Sequence, residues 1–294
     1  MKTVPILILS AMLSIHLSAQ KSESPNLLGL CTVNDLTSPP YSEWFSENYS
    51  SYTPNSKIIE LLKSKDPSHY SVTIFFGTWC SDSQREVPRL LKILDALSLR
   101  PQIIALGNGG KEDSLYRQSP NHEEAGKHIY RVPTFIISKD GRELGRIIEY
   151  PAVSLERDIL DILNSAYTPS LASCSLLASW LEEGILDDVN VSFAGLAGRL
   201  RPMVSSAGEL NSIANTLQRR EKVSPRIAET LLRINNILYP AIYWTYTRLA
   251  EALSNNEGKH DAAVEVLNEG LEHIKDPADQ KRIQDVLDSI LAKM

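Results

Sequence analysis

Val72-Thr73-Ile74-Phe75-Phe76 is an unbroken, β-rich apolar run that stops at Gly77 and gives way, near Asp82, to a helical pattern. A second continuous apolar run, Ile103 to Leu106, fits a strand buried on both faces. Such a strand has no solvent face and commits the chain to covering layers on either side. Between the two runs, Val87, Leu90, Leu91, Leu94 and Leu97 fall at helical spacing, which predicts a helix from Cys80 to about Leu97, with Pro88 near its first turns as a candidate kink. Cys80 therefore lies at a strand-to-helix junction. The unpaired N–H groups and positive dipole end of a helix favour a thiolate there, against the plainer reading of a buried cysteine acting as a small hydrophobe.

At 294 residues the chain exceeds the usual size of one core, so two domains are expected. The formal charge of −6 argues against a dedicated nucleic-acid surface. Met1-Lys2, the apolar stretch Val4 to Ile15 and Leu17-Ser18-Ala19 before Gln20 read as a signal peptide over residues 1–19, cleaved near Ala19. No later apolar run has the length of a transmembrane helix, so an exported, periplasmic or secreted protein is expected. Three cysteines follow, Cys31, Cys80 and Cys174; an odd count leaves at least one thiol free or bridged to another chain, and Cys31 and Cys174 are candidates to pair.

Residues 20–54 read as an N-terminal extension, aperiodic up to about residue 40. It is followed by a helix whose face carries Tyr41, Trp44, Phe45, Tyr49 and Tyr52, expected to pack on the next domain. Asn55 or Ser56 caps a helix to Lys63 with Ile58, Ile59, Leu61 and Leu62 on its buried side. In the polar stretch 107–126, Gly107-Asn108-Gly109-Gly110-Lys111 is followed by Glu112, which removes it from the phosphate-loop pattern. His122 and His128 match no zinc spacing and read as solvated, so neither a cofactor nor a metal site is expected. Phe135 to Ser138, the turn Lys139-Asp140-Gly141-Arg142 and Glu143 to Glu149 predict a β-hairpin. Leu155, Ile159, Ile162 and Leu163 mark a closing amphipathic helix.

Trp79-Cys80-x-x-Ser83 at the strand end, Val132-Pro133-Thr134 before a later strand, and the Asp140-Gly141 hairpin, taken in this order, resemble the thioredoxin superfamily over roughly residues 50–166. The resemblance implies an α/β thioredoxin-like domain at residues 55–166, a central mixed sheet flanked by helices. It places Cys80 at the exposed nucleophile, within the motif Trp79, Ser81, Asp82 and Ser83. It makes Pro133 the family's cis-proline and Val132 the residue whose backbone pairs with an extended substrate, in a groove that Thr134 continues.

Two departures narrow the chemistry. Ser83 stands where the family has its resolving cysteine, and Ile74 where thioredoxins bury an aspartate. A single thiolate can still form a mixed disulfide that an external thiol reductant must release. The expected partners are thus proteins or peptides carrying thiols or disulfides. Ser83 could donate a hydrogen bond to a Cys80 thiolate, whereas the charge of Asp82 opposes ionisation. The competing expectation is a redox-inactive, thioredoxin-fold peptide-binding module in which Cys80 is a bystander.

Strand signals fade after Ser170. Residues 167–294 read as an all-α domain, with helices over 206–220, 224–238 and 241–253. Leu249, Ala250, Leu253, Gly258, Ala263, Leu267, Gly270 and Pro277 resemble one tetratricopeptide unit at about 241–277, the alternative being an unrelated helical hairpin. A single unit cannot bury its own face, so the preceding helices are expected to stack on it.

Overall fold

The computed structural model describes residues 25–110, 114–221, 223–256 and 258–294. The signal segment 1–19 and Lys111 lie outside the described residues. Strands β1 (Gly29–Cys31), β2 (Tyr70–Phe76), β3 (Gln102–Ala105), β4 (Thr134–Lys139) and β5 (Arg142–Ile148) form a five-stranded sheet in the order β1-β3-β2-β4-β5. β2 and β3 are parallel, with Ile74 opposite Ile103, and every other pair is antiparallel. The sheet is therefore mixed. The β2-to-β3 connection is α4 (Ser81–Ala96), the length of crossover that a parallel pair requires.

The apolar runs lack alternation because both sheet faces are covered. Val72, Ile74, Phe76, Ile103, Ala105, Phe135 and Ile137 point to one side, where they meet Val87, Leu90 and Leu94 of α4 and Leu155 and Ile159 of a later helix. Phe75, Ile104 and Ile136 point to the other and make a smaller core with Leu106, Ile129 and Val132. The alternation within β2 is the two-residue pleat of a strand.

The larger core is completed by α2 (Ser42–Ser51), α3 (Ser56–Lys63) and α5 (Leu155–Leu163). Phe45 is buried there with Trp44, Tyr49 and Tyr52 packed around it, and the Tyr52 hydroxyl donates to Glu156 at 2.5 Å. Asn55 Oδ1 accepts from the amides of Lys57 and Ile58 and caps α3. Only Ile59 and Leu62 of that helix are buried, with Ile58 partly buried against the same core, and Leu61 is 52% exposed, because a short helix packed on α5 presents one narrow stripe. Pro88 lies inside α4, which continues to Ala96.

Residues 29–37 are not the loose lead-in the sequence suggests. β1 adds to the sheet as an antiparallel edge strand on β3, and α1 (Val33–Thr37) follows, its start closed by a reciprocal cap between Thr32 and Asp35. A three-residue strand is too short for periodicity; its hydrogen bonds come from β3. Thr32-x-x-Asp35 was the one local signal available.

Beyond α5 the described residues contain no strand. α6 (Ser173–Glu182), α7 (Phe193–Leu200), α8 (Ala207–Thr216), α9 (Pro225–Leu238), α10 (Tyr243–Ser254), α11 (His260–His273) and α12 (Pro277–Leu291) enclose a second core that includes Leu177, Trp180, Leu210, Ile213, Leu231 and Leu267. The helix expected over 206–220 is interrupted, since after Thr216 the chain widens into a π-helical turn at Leu217–Glu221. In the α10–α11 hairpin, Leu249, Ala250, Leu253, Ala263 and Leu267 are buried. Gly270 is required there by close approach: a Cβ would lie 2.9 Å from the Tyr246 ring. This core also takes in Tyr130 and Ile148 from the sheet region. Among the described residues no helix is long and apolar enough to cross a membrane.

Candidate functional site

The site is built at the end of β2. The Cys80 amide donates to the Gly77 carbonyl at 3.0 Å, closing a turn that sets Cys80 as N-cap of α4 in extended geometry, φ −98° and ψ 121°. Gly77 is constrained by its neighbour, since a Cβ there would sit 2.5 Å from the Trp79 indole. The indole N–H donates to the Leu106 carbonyl at 2.9 Å, which straps Trp79 across the end of β3. Cys80 is half-buried against the smaller core, and its Sγ lies 3.2 Å from the Val132 carbonyl, to which the thiol donates.

The residues expected around Cys80 divide into those that reach it and those that do not. Ser81 is exposed on the first turn of α4. Asp82 is paired with Arg85 at 2.7 Å, so its charge is locally offset. Ser83 is fully buried, and its hydroxyl oxygen accepts from the Gly77 amide at 3.2 Å. Through this bond the Ser83 oxygen ties the strand end to the first helical turn. Ile74 is fully buried and faces the larger core with Val72 and Phe76.

Opposite Cys80, Val132, Pro133 and Thr134 are all buried, and the Val132–Pro133 peptide is cis. The carbonyls of this segment are occupied in turn. Ile129 O accepts from Arg220 Nη1 at 2.6 Å, and Tyr130 O accepts from Arg117 Nη1. Arg131 O accepts from Thr134 Oγ1 at 2.7 Å, Val132 O from Cys80, and Pro133 O from the Glu149 amide at 2.7 Å. Complete pairing of buried backbone groups is the rule. The distinctive feature is that a thiol supplies one of these bonds.

Arg117 was not legible as part of the site. It lies in the polar stretch after β3, and its guanidinium donates to Tyr130 O, two residues before Val132. Burial pushes its guanidinium below the ordinary arginine value and Arg131 adds to this, while Tyr116, Glu149 and Cys80 oppose it. Arg220 was equally invisible, because an Arg219-Arg220 pair in a helical pattern reads as solvated surface. His128, expected to be solvated, is half-buried: Nδ1 lies 2.9 Å from the Tyr130 hydroxyl and Nε2 2.9 Å from Glu182 of α6.

Cys31 and Cys174 are both free thiols. Cys31 sits in β1 beside the sheet core, and burial, with the charge of Asp35, pushes its thiol up to about 12. Cys174 is buried in the helical core, and burial, with Glu209, pushes it up to about 12 as well. Among the described residues, no group of three or more His, Cys, Asp or Glu side chains is placed to hold a metal ion.

The chain is similar to Thioredoxin-3, mitochondrial, of Saccharomyces cerevisiae, at 26% identity over 118 residues, which cover 40% of this chain and 85% of the yeast protein. No family model matches the chain, and no solved structure does. The mixed sheet with its flanking helices, followed by a helix-rich C-terminal region, and the similarity to the yeast protein together fit a thioredoxin-like fold with a helical addition.

Proposed function

We propose that this is an exported, thioredoxin-like protein that uses the single thiol of Cys80 for thiol–disulfide exchange or for mixed-disulfide capture of partner proteins. The observation that carries this reading is the placement of Cys80 Sγ at the start of α4, 3.2 Å from the Val132 carbonyl, with a buried serine three residues on. In the exchange, the Cys80 thiolate attacks one sulfur of a partner disulfide. The Cys80–partner S–S bond forms, the partner's S–S bond breaks, and its second sulfur leaves with the electron pair and takes a proton. With Ser83 at the resolving position, an external thiol must attack the mixed disulfide to restore Cys80.

The reading makes the protein a thiol–disulfide oxidoreductase or isomerase without a resolving cysteine, with Val132, Pro133 and Thr134 as its substrate groove. The signal-like residues 1–19 support a site outside the cytoplasm, where partner disulfides persist. The α10–α11 hairpin, read as tetratricopeptide-like, would present a partner segment. A second reading, a binding module with an idle cysteine, is favoured by one observation: the thiol is half-buried and its proton is engaged by a carbonyl.

The two are separated by exposing the purified protein to a stoichiometric thiol probe and an oxidised small thiol at neutral pH. Labelling and a mixed disulfide at Cys80, both lost in Cys80→Ser, are expected. Resistance to both reagents by a folded protein sinks the exchange reading and leaves the binding module.

A further inference from the structure

The helical region reaches into the wall of the Cys80 site. The π-helical turn Leu217–Glu221 brings two arginines onto two loops of the sheet region. Arg219 stacks on Tyr116, its guanidinium carbon 4.0 Å from the ring centroid, and Nη2 donates to the Gly109 carbonyl at 3.3 Å. Gly109 has φ +69°, and a Cβ there would approach Tyr116 to 2.8 Å and Arg219 Nη2 to 2.9 Å, so the loop is drawn tightly against this turn. Arg220 is buried, and its Nη1 donates to Ile129 O at 2.6 Å and to Arg117 O at 3.4 Å. Thr216, one residue before the turn, directs its hydroxyl chiefly to Ser212 O at 2.9 Å, with Tyr130 O at 3.4 Å as a weaker second acceptor.

We propose that Arg220 is a positioning residue for the peptide groove beside Cys80: by holding the Ile129 and Arg117 carbonyls together it sets the course of the wall from Ile129 to the groove residues Val132, Pro133 and Thr134. The chain of bonds is short and continuous. Arg220 fixes Ile129 O and the Arg117 backbone, the Arg117 side chain holds Tyr130 O, and Val132 O touches Sγ. A buried guanidinium is suited to this task because its planar donors are preorganised and their charge is never lost. The π-helical turn that closes α8 is what carries Arg220. The helical region is thereby a structural part of the site, not an appendage to it. The proposal rests on the exchange reading given above.

The test compares two disulfides that report the same chemistry on the full chain. One is dithiobis(nitrobenzoate). The other is a short peptide whose single cysteine is held as a mixed disulfide with thionitrobenzoate. In either case the Cys80 thiolate attacks, a new S–S bond to Cys80 forms, and the coloured thionitrobenzoate leaves with the electron pair; mapping the product by mass assigns it to Cys80. Arg220→Leu is expected to react with the small disulfide within about twofold of the parent rate, while its half-saturating concentration for the peptide rises about tenfold, within the range of coupling changes seen for residues outside a site. Arg220→Lys, which keeps a charged donor, is expected to recover most of that loss.

A Leu variant that leaves the ratio of the two reactions unchanged, or slows both equally, overturns the positioning role. Should that variant not fold, the same ratio is read in Arg220→Gln, and an unchanged ratio there overturns it too. A parent protein that reacts at Cys80 with neither disulfide defeats the exchange reading itself, an outcome distinct from an active parent whose ratio is indifferent to Arg220.

Discussion

The sheet region and the helical region bury their apolar residues by different logic, and Cys80 lies near the seam between them. In the sheet, burial is two-sided and set by the strand pleat, so the larger core draws on α2 to α5 and the smaller one carries Cys80 and Trp79. In the helical region, each helix contributes one stripe to a single core that continues into Tyr130 and Ile148. Among the described residues, the smaller sheet core has no helix of its own sheet region over it that compares with α4. Its outer wall, Ile129 to Val132, is held in part from Arg220. Cys80 thus stands on the core whose wall depends most on the neighbouring region.

The strongest way to break that contrast is to remove the helical region. Deleting residues 170–294 uncovers Tyr130 and Ile148, which are 2% and 4% exposed in the full chain. At about 1.5–3 kcal/mol for each large apolar side chain returned to water, the fragment should lose about 3–6 kcal/mol. Denaturant unfolding of the fragment against the full chain measures this, and a fragment of equal stability would show that the seam is only a surface contact.

A pair of tight glycines sharpens the contrast at smaller effect. Gly270→Ala drives a methyl to 2.9 Å from Tyr246, and Gly77→Ala drives one to 2.5 Å from the Trp79 indole. Overpacking of this kind costs about 1–3 kcal/mol in each case. Only Gly77→Ala should also change the rate at which Cys80 takes a thiol probe, because the displaced indole must give up its bond to Leu106 O. Equal effects of the two variants on that rate would erase the distinction between the regions.

The last contrast is in pH dependence. Cys31 and Cys174, one in each region, have folded values near 12 against an ordinary value of 9.0. A raised folded value means that the unfolded chain releases protons first as pH climbs. The stabilisation from these two thiols is therefore complete below pH 9 and lost between pH 9 and 12, at about 1.4 kcal/mol per thiol per pH unit as an upper bound. Chemical denaturation at pH 7, 8 and 10 measures it: the first two should agree and the third should fall. The same burial predicts that a probe at pH 8 labels one thiol in the native protein and three after unfolding; rapid native labelling of either Cys31 or Cys174 would contradict it.

Much of the sheet region was readable because its determinants are local. Val72 to Phe76 and Ile103 to Leu106 show no alternation because they are covered on both faces, and the stripe from Val87 to Leu97 shows the helical period. Asn55 announced its cap through a side chain that reaches only two or three residues on. Strand β1 escaped notice because its partner β3 lies some seventy residues away in the chain.

What the sequence by itself determined is the local grammar around Cys80: an apolar strand that ends at a glycine, a cysteine heading an amphipathic helix, and a serine three residues on. Each follows from residues within a few positions of one another. Only the tertiary structure decided what faces the sulfur. That is Val132 O, and the wall it belongs to is held by Arg117 and Arg220 from two further stretches of chain; Arg220 carries no periodic or motif signal that would mark it as anything but surface. The physical reason is that a hydrogen bond to a backbone carbonyl is specified by position in space, and any residue type can provide that carbonyl.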